Sequence, residues 1–109
     1  MNDRSKTLSY LGLAFRAGKL ASGDEGVMKA IRSHSAHIVL IASDASFNAK
    51  KKYTDKCDFY GVPYIEEFDR RELGHSIGKP ERVVVAVTDK GLSELVRKSL
   101  LNHAEEEFH

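Results

Sequence analysis

The chain has 109 residues, enough for one domain and one hydrophobic core but not for two. It is 41% hydrophobic and 30% charged, an ordinary soluble globular balance, and its net charge of +1 singles out no partner. Cys57 is the only cysteine, which excludes an intramolecular disulfide and suits a reducing cytoplasm. The charge is unevenly spread. Residues 1–57 hold 10 Lys/Arg against 5 Asp/Glu, whereas residues 58–109 hold 7 against 11. The first half is therefore basic and the second acidic. The apolar run from Leu8 to Phe15 ends at Arg16 and Lys19, too short for a membrane span and without a small-residue cleavage site after it. A cytoplasmic location is expected, with no membrane partner.

Leu8, Leu11 and Phe15 fall at helical spacing, with Ser5 as N-cap and Gly18 as stop, so a first helix is expected over 5–17. Leu20 to Ser22 reads as a very short strand. Gly23 and Asp24 open a second helix with Val27, Ala30 and Ile31 inside. His37 to Ser43 is apolar without alternation, the mark of a strand covered on both faces. A third helix is expected from Ser46 to Phe59, with Ala49, Tyr53, Cys57 and Tyr60 inward and Lys50, Lys51 and Lys52 outward. Pro63 to Ile65 is a short strand and Arg70 to Ser76 a short helix. Val83 to Val87 is a second doubly covered strand. Thr88 or Asp89 caps a last helix whose inner face is Leu92, Leu95, Val96, Ser99 and Leu100. Helices alternating with buried strands specify a three-layer α/β/α sandwich around a small four-stranded mixed sheet. No linker or repeat divides the chain, so residues 1–109 are expected to form a single domain, with a frayed tail from about His103.

The candidate functional residues are mostly cations near helix starts. Gly23 to Lys29 opens a helix, and free amides there favour anions. Asp24 and Glu25 oppose this, and a purely structural account also holds: Asp24 supports the cap and Glu25 pairs with Lys29 at i, i+4. Arg32 continues the same helix, and Lys19 precedes the first strand. Lys50, Lys51 and Lys52 can neutralise phosphates or simply form a solvated face. Lys79 and Arg82 flank Pro80, where an arginine can stack on a base or fork onto a phosphate; a plain surface loop is the alternative.

Other motifs carry less. Gly74 to Pro80 has three intervening residues and a proline where a P-loop needs four and Ser or Thr; Gly74 and Gly78 read instead as turn glycines. His34 and His37 lack the further ligands a zinc site needs. Cys57 reads as a buried thiol. No nucleophile–base pair stands out, and no metal or cofactor is expected. The tyrosines read as core or rim residues, with no aromatic platform interleaved among cations.

The blocks RAGKLASGDEGVMKAI, VLIASDAS, YGVP, ELG, IGK and RVVVAVTD occur in order from about Ser5 to Leu100. Together they resemble the ribosomal protein superfamily that recognises kink-turn RNA, the L-seven-Ae family, and most closely its small bacterial YlxQ-type members. The resemblance implies an α/β/α sandwich that binds RNA without catalysis, associated with ribosomal or other structured RNA. In that family a glycine and a lysine of the second helix reach RNA; here they fall on Gly23 and Lys29. The two base-reading positions between them are Glu25 and Gly26, which depart from the family's Asn/Lys and Glu/Gln. The apolar loop before the last strand is replaced by Gly78, Lys79, Pro80, Glu81 and Arg82. Residues and resemblance together place the expected central RNA contacts at Lys29, Lys79 and Arg82, shaped by Gly23 to Glu25, with Arg32 a further candidate contact and with Lys19 and the triple lysine adding electrostatic steering. A protein-interaction module within an RNA-associated complex, without direct base recognition, is the alternative.

Overall fold

The computed structural model describes the backbone of residues 3–107 and the side chains of residues 4–100. In chain order the elements are α1 (Asp3–Arg16), β1 (Leu20–Ser22), α2 (Asp24–Arg32), β2 (Ile38–Ile41), α3 (Phe47–Tyr60), β3 (Tyr64–Ile65), α4 (Arg70–Ser76), β4 (Val84–Val87) and α5 (Lys90–Glu107). The four strands form one sheet in the order β1-β4-β2-β3. β4 runs antiparallel to both β1 and β2, and β2 runs parallel to β3.

The uninterrupted apolar strands occupy the centre because every side chain on them finds cover. All eight residues of β2 and β4 are at most 1% exposed. Side chains alternate across a sheet, and each face has its own core. Val39, Ile41, Val84 and Ala86 pack with Val27, Ile31, Tyr53 and Cys57 of α2 and α3. Ile38, Leu40, Val85 and Val87 pack with Leu11, Ala14, Phe68, Leu73 and Val96 on the opposite side. The result is the expected three-layer sandwich around a mixed four-stranded sheet.

Several boundaries and faces differ from the sequence reading. α1 begins by Asp3, so Ser5 lies inside the helix rather than capping it. Its buried stripe is Thr7, Leu11 and Ala14, which turns Phe15 outward to 37% exposure. Thr7 can face inward because its hydroxyl meets that of Ser99 on α5, 2.5 Å away. Burying two hydroxyls is tolerable when they satisfy each other. On α5, Val96 and Ser99 are buried while Leu95 is 40% exposed. The central strands are shorter than expected: the Ser43 amide leaves the ladder to donate to the Phe68 carbonyl at 2.8 Å.

The caps follow local chemistry. Gly18, at φ 71°, ends α1, and the Lys19 amide closes back onto the Ala14 carbonyl. The Ser46 hydroxyl accepts from the Ala49 amide, and the Asp89 carboxylate from the Leu92 amide. Asp69 and Glu72 form a reciprocal capping box at the start of α4. Arg4 ties α1 to this region. Its guanidinium contacts Glu67 and Glu72 at 3.0 and 2.7 Å and lies 4.6 Å from the Phe68 ring centroid. The end of the tail expected to fray, Phe108 and His109, lies outside the described residues.

Gly78 is a turn glycine as expected, at φ 74°, but Gly74 is not. Gly74 sits inside α4, and a Cβ there would lie 2.6 Å from the backbone of Glu81. The segment after α4 folds back against the helix: the Lys79 amide donates to the Gly74 carbonyl and the Arg82 amide to that of Arg70, both at 2.9 Å. Forcing a methyl into so close a backbone contact costs about 1–3 kcal/mol. Gly74→Ala is therefore expected to lower the urea midpoint by a corresponding amount. An unchanged midpoint would show that the returning segment yields freely.

Candidate functional site

β1 ends at Ser22, and the chain turns at Gly23, with φ 85° and ψ 168°. A side chain is strained at this φ, so glycine is required by conformation. The Gly23 amide donates to the Val84 carbonyl at 3.0 Å, and the Gly23 carbonyl accepts from the Val27 amide at 3.0 Å. The start of α2 is thereby fixed beside the start of β4. No side chain caps α2, so its first amides have no local acceptor. Gly26 is exposed, and a Cβ there would meet nothing nearer than the Ala21 Cβ at 3.8 Å. Packing does not demand glycine at this position; its effect is to leave position 26 of the first turn without a side chain, beside the exposed Asp24 and Glu25.

Asp24 does not support the cap as the sequence suggested. Its Oδ1 accepts from Lys52 Nζ at 2.5 Å and from Tyr53 Oη at 2.9 Å, both on α3. These two hydrogen bonds, that of Lys52 being the stronger influence, hold the Asp24 carboxyl below its ordinary value of 3.8. Burial, followed by the hydrogen bond to Asp24, pushes the Tyr53 hydroxyl up to about 12. The Asp24–Lys52 pair is half exposed, so it contributes little stability, and its effect is mainly to position Lys52. The expected Glu25–Lys29 pair is not formed. Both side chains are exposed, and neither makes an ion pair among the described residues.

The triple lysine is divided by its partners. Lys52 joins the start of α2, while Lys51 pairs with Asp55 one turn along α3 at 3.0 Å. Lys50 is half-buried. Arg82 lies two residues before Val84, the acceptor for Gly23, and its guanidinium donates to the Glu81 carbonyl at 2.7 Å. Lys79 is drawn elsewhere, its ammonium 5.8 Å from the Phe15 ring centroid on α1. Lys19 and Arg32 do not converge with the others. Lys19 precedes β1 at the end opposite Gly23, and its carbonyl accepts from Thr88 past the far end of β4. Arg32 ends α2, roughly 12 Å along the axis from Asp24. The structure thus gathers Gly23, Asp24, Glu25, Lys52 and Arg82 at one end of the sheet, with Lys29 one turn along α2.

Two features of this end escaped the sequence reading. Arg70, at the start of α4, holds the loop before α3. Its amide donates to Asp44 Oδ1 at 3.0 Å, and its guanidinium contacts the Asp44 carboxylate and carbonyl. Desolvation pushes the Asp44 carboxyl up, but the Arg70 amide and guanidinium outweigh it and hold the group below its ordinary value. The Arg70 carbonyl in turn accepts from Arg82. The second feature is Phe47, the first residue of α3, which is 79% exposed. Its angular position gave a signal: it lies off the Ala49–Tyr53–Cys57 stripe and shares a face with Lys51. The Asp44–Arg70 bridge spans 26 residues and left no local signature.

The family model described as ribosomal protein L7Ae/L30e/S12e/Gadd45 matches residues 5–97. RNA-binding protein YlxQ of Bacillus subtilis is 55% identical over 83 residues, covering 76% of this chain and 83% of that protein. RNA-binding protein YlxQ of Enterococcus faecium is 43% identical over 96 residues, covering 88% and 92% respectively. Large ribosomal subunit protein eL8 of Thermoplasma volcanium is 29% identical over 102 residues, covering 93% and 84%. Among solved structures, a protein of unknown function from Bacillus halodurans C superposes with a TM-score of 0.82 at 44% identity, covering 86% of this chain and 95% of that one. The 15.5kD RNA binding protein of Giardia lamblia shares the fold, with a TM-score of 0.78 at 18% identity over 96% of this chain and 91% of that one.

The Asp24–Tyr53 contact gives a direct check on this geometry. A hydroxyl whose ionisation is raised by folding contributes stability that is full below its unfolded value near 10 and is lost as pH rises towards about 12. In an alkaline absorbance titration of the folded protein, one of the four tyrosines is expected to ionise near pH 12. Tyr53→Phe removes that phase and Asp24→Asn moves it lower. A phase unaffected by Asp24→Asn would show that the two side chains do not meet in solution.

Proposed function

Because this chain belongs to the ribosomal protein L7Ae/L30e/S12e/Gadd45 family, we propose that it is a non-catalytic RNA-binding protein. It acts as a single cytoplasmic domain on structured or ribosomal RNA, alongside ribosomal or RNA-associated proteins. The observation that carries this reading is the open first turn of α2. Its amides lack a side-chain cap, Gly26 leaves the backbone bare, and Lys29 is exposed without an ion pair. A sugar-phosphate backbone can approach the Gly26 side of this turn and be met by amides and a cation, with the Asp24 charge offset by Lys52 and the Glu25 carboxylate turned to accepting from a base edge. Arg82, two residues from the Val84 carbonyl that holds Gly23, adds a planar donor that can fork onto a phosphate or stack on a base. Lys52 is held beside the same turn by Asp24. Among the described residues no helix is long and apolar enough to cross a membrane.

Glu25 and Gly26 replace two base-reading side chains of the resembled kink-turn binders, and this sets the expected specificity. Gly26 has no side chain with which to accept from guanine. Asp24 is engaged by Lys52 and Tyr53, so Glu25 is the carboxylate free to take a base edge. Each good base contact is worth about 1–3 kcal/mol on the scale known for DNA. Losing one or two erodes preference for a kink-turn over a plain duplex by about tenfold or more, while phosphate contacts persist. The test is a titration of kink-turn, duplex and mutated-G·A RNAs at one salt concentration. Weak preference, with loss of all binding in Lys29→Ala, is expected. Strong kink-turn preference abolished by Glu25→Ala would overturn this specificity and make Glu25 the replacement reader.

The electrostatic part has a separate readout. Replacing Lys50, Lys51 and Lys52 by alanine is expected to weaken all RNAs similarly. Each lost phosphate contact should flatten the log–log salt dependence by about 0.7–0.9. A slope identical to the wild type would assign these lysines to a solvated face.

A further inference from the structure

We propose that Phe47 is a stacking platform for an unpaired RNA base, adjoining the first turn of α2. The proposal rests on the RNA-binding reading above and extends it to the start of α3. Phe47 is 79% exposed at the first position of a helix that Ser46 caps, so the ring is presented from ordered backbone. The inward stripe of α3 is already filled by Tyr53 and Cys57.

The placement links the ring to the candidate interface. Lys52, five residues along α3, bonds to Asp24 at the start of α2. The loop just before Phe47 is held by Asp44 to Arg70, and the Arg70 carbonyl accepts from Arg82. The starts of α2, α3 and α4 and the approach to β4 therefore share one end of the molecule. Lys50 and Lys51 stand three and four residues after Phe47 on its side of the helix, the spacing at which side chains are neighbours. An aromatic face beside cations is the combination with which proteins hold unpaired nucleotides: the ring takes the base and the ammoniums take the backbone.

Phe59 provides an internal contrast. It is 81% exposed, but its ring packs edge to face on Tyr60 with centroids 5.0 Å apart, and Tyr60 meets His34 in the same way at 5.6 Å. That cluster lies at the opposite end of α3. Phe47 has no ring partner among the described residues. A protein-docking surface needs a contiguous apolar patch, whereas the neighbours of Phe47 on its own face are Lys50, Lys51 and Thr54. This surroundings favours a base over an apolar protein surface.

The chain contains no tryptophan, so Phe47→Trp introduces a single indole as a reporter. The probes are an RNA hairpin with a two-nucleotide bulge and the same hairpin fully paired. Binding of the bulged RNA is expected to quench the indole strongly, and the paired RNA to leave it nearly unchanged. Phe47→Ala should weaken the bulged RNA about tenfold, leaving the paired RNA and the salt slope as in the wild type, while Phe59→Ala changes neither. Wild-type binding of the bulged RNA with no quenching and no loss in Phe47→Ala would overturn the platform and leave the RNA-binding reading intact. Absence of RNA binding by the wild type would overturn both. Concentration-dependent self-association abolished by Phe47→Ala, with RNA affinity unchanged, would assign the ring to a contact between copies and likewise overturn the proposal.

Discussion

The candidate site depends on one hydrogen bond, from the Gly23 amide to the Val84 carbonyl. It joins the turn after β1 to the first residue of β4, although the two are 61 positions apart in the chain. Gly23 makes this bond at φ 85° while a helix starts in the next residue, a conformation that favours a residue without a Cβ. Through Val84 the bond aligns the start of α2 with the segment carrying Arg82. Through Asp24 the same turn reaches Tyr53 and Lys52 of α3. The bond works together with the β1–β4 ladder and the core shared by α2, α3 and β4, which hold the same elements in one frame.

The two faces of the sheet have different work. One is covered by α2 and α3, whose amphipathic stripes are filled by Val27, Ile31, Tyr53 and Cys57. The other is closed by α1, α4 and α5, with Thr7 and Ser99 satisfying each other between the outer helices. Burial pushes the Cys57 thiol up to about 11, with Asp58 adding to the effect, so the sulfur stays protonated and serves as core packing. Polar chemistry is left to the loops at the sheet end, where a buried scaffold sets the positions of exposed cations.

Much of the fold was legible because its signals are local. β2 and β4 announce double coverage by lacking alternation, and Ser46, Gly18 and Asp89 mark helix ends by short-range hydrogen bonding. The misreadings arose where a local rule met a tertiary competitor. Ser5 resembles a cap until the helix is seen to begin by Asp3. Gly74 resembles a turn glycine until the backbone of Glu81 is found against it. In the candidate site, the places of Gly23 at the start of α2 and Lys29 farther along it were legible from the sequence, and their candidacy came from the family resemblance. The partition of the triple lysine was not. Lys52 turns to Asp24, 28 residues away, while Lys51 keeps an i, i+4 partner. A cation run in a sequence does not disclose which member leaves the face. Phe47 escaped although its position off the Ala49–Tyr53–Cys57 stripe marked it as outward, because a single apolar residue at a helix start carries no motif of its own.

The contact between Gly74 and Glu81 bears on how recognition is achieved. The segment holding Lys79 and Arg82 is bonded to α4 at Gly74 and at Arg70, so it has little freedom apart from that helix. A loop of this kind has already lost most of its conformational entropy before a ligand arrives, and less remains to be lost on binding. Such preorganisation favours partners whose shape matches the existing arrangement and penalises those that require the segment to remodel. Selectivity at this end of the molecule would then come from geometric fit to a fixed contour, in addition to the identity of the side chains displayed on it.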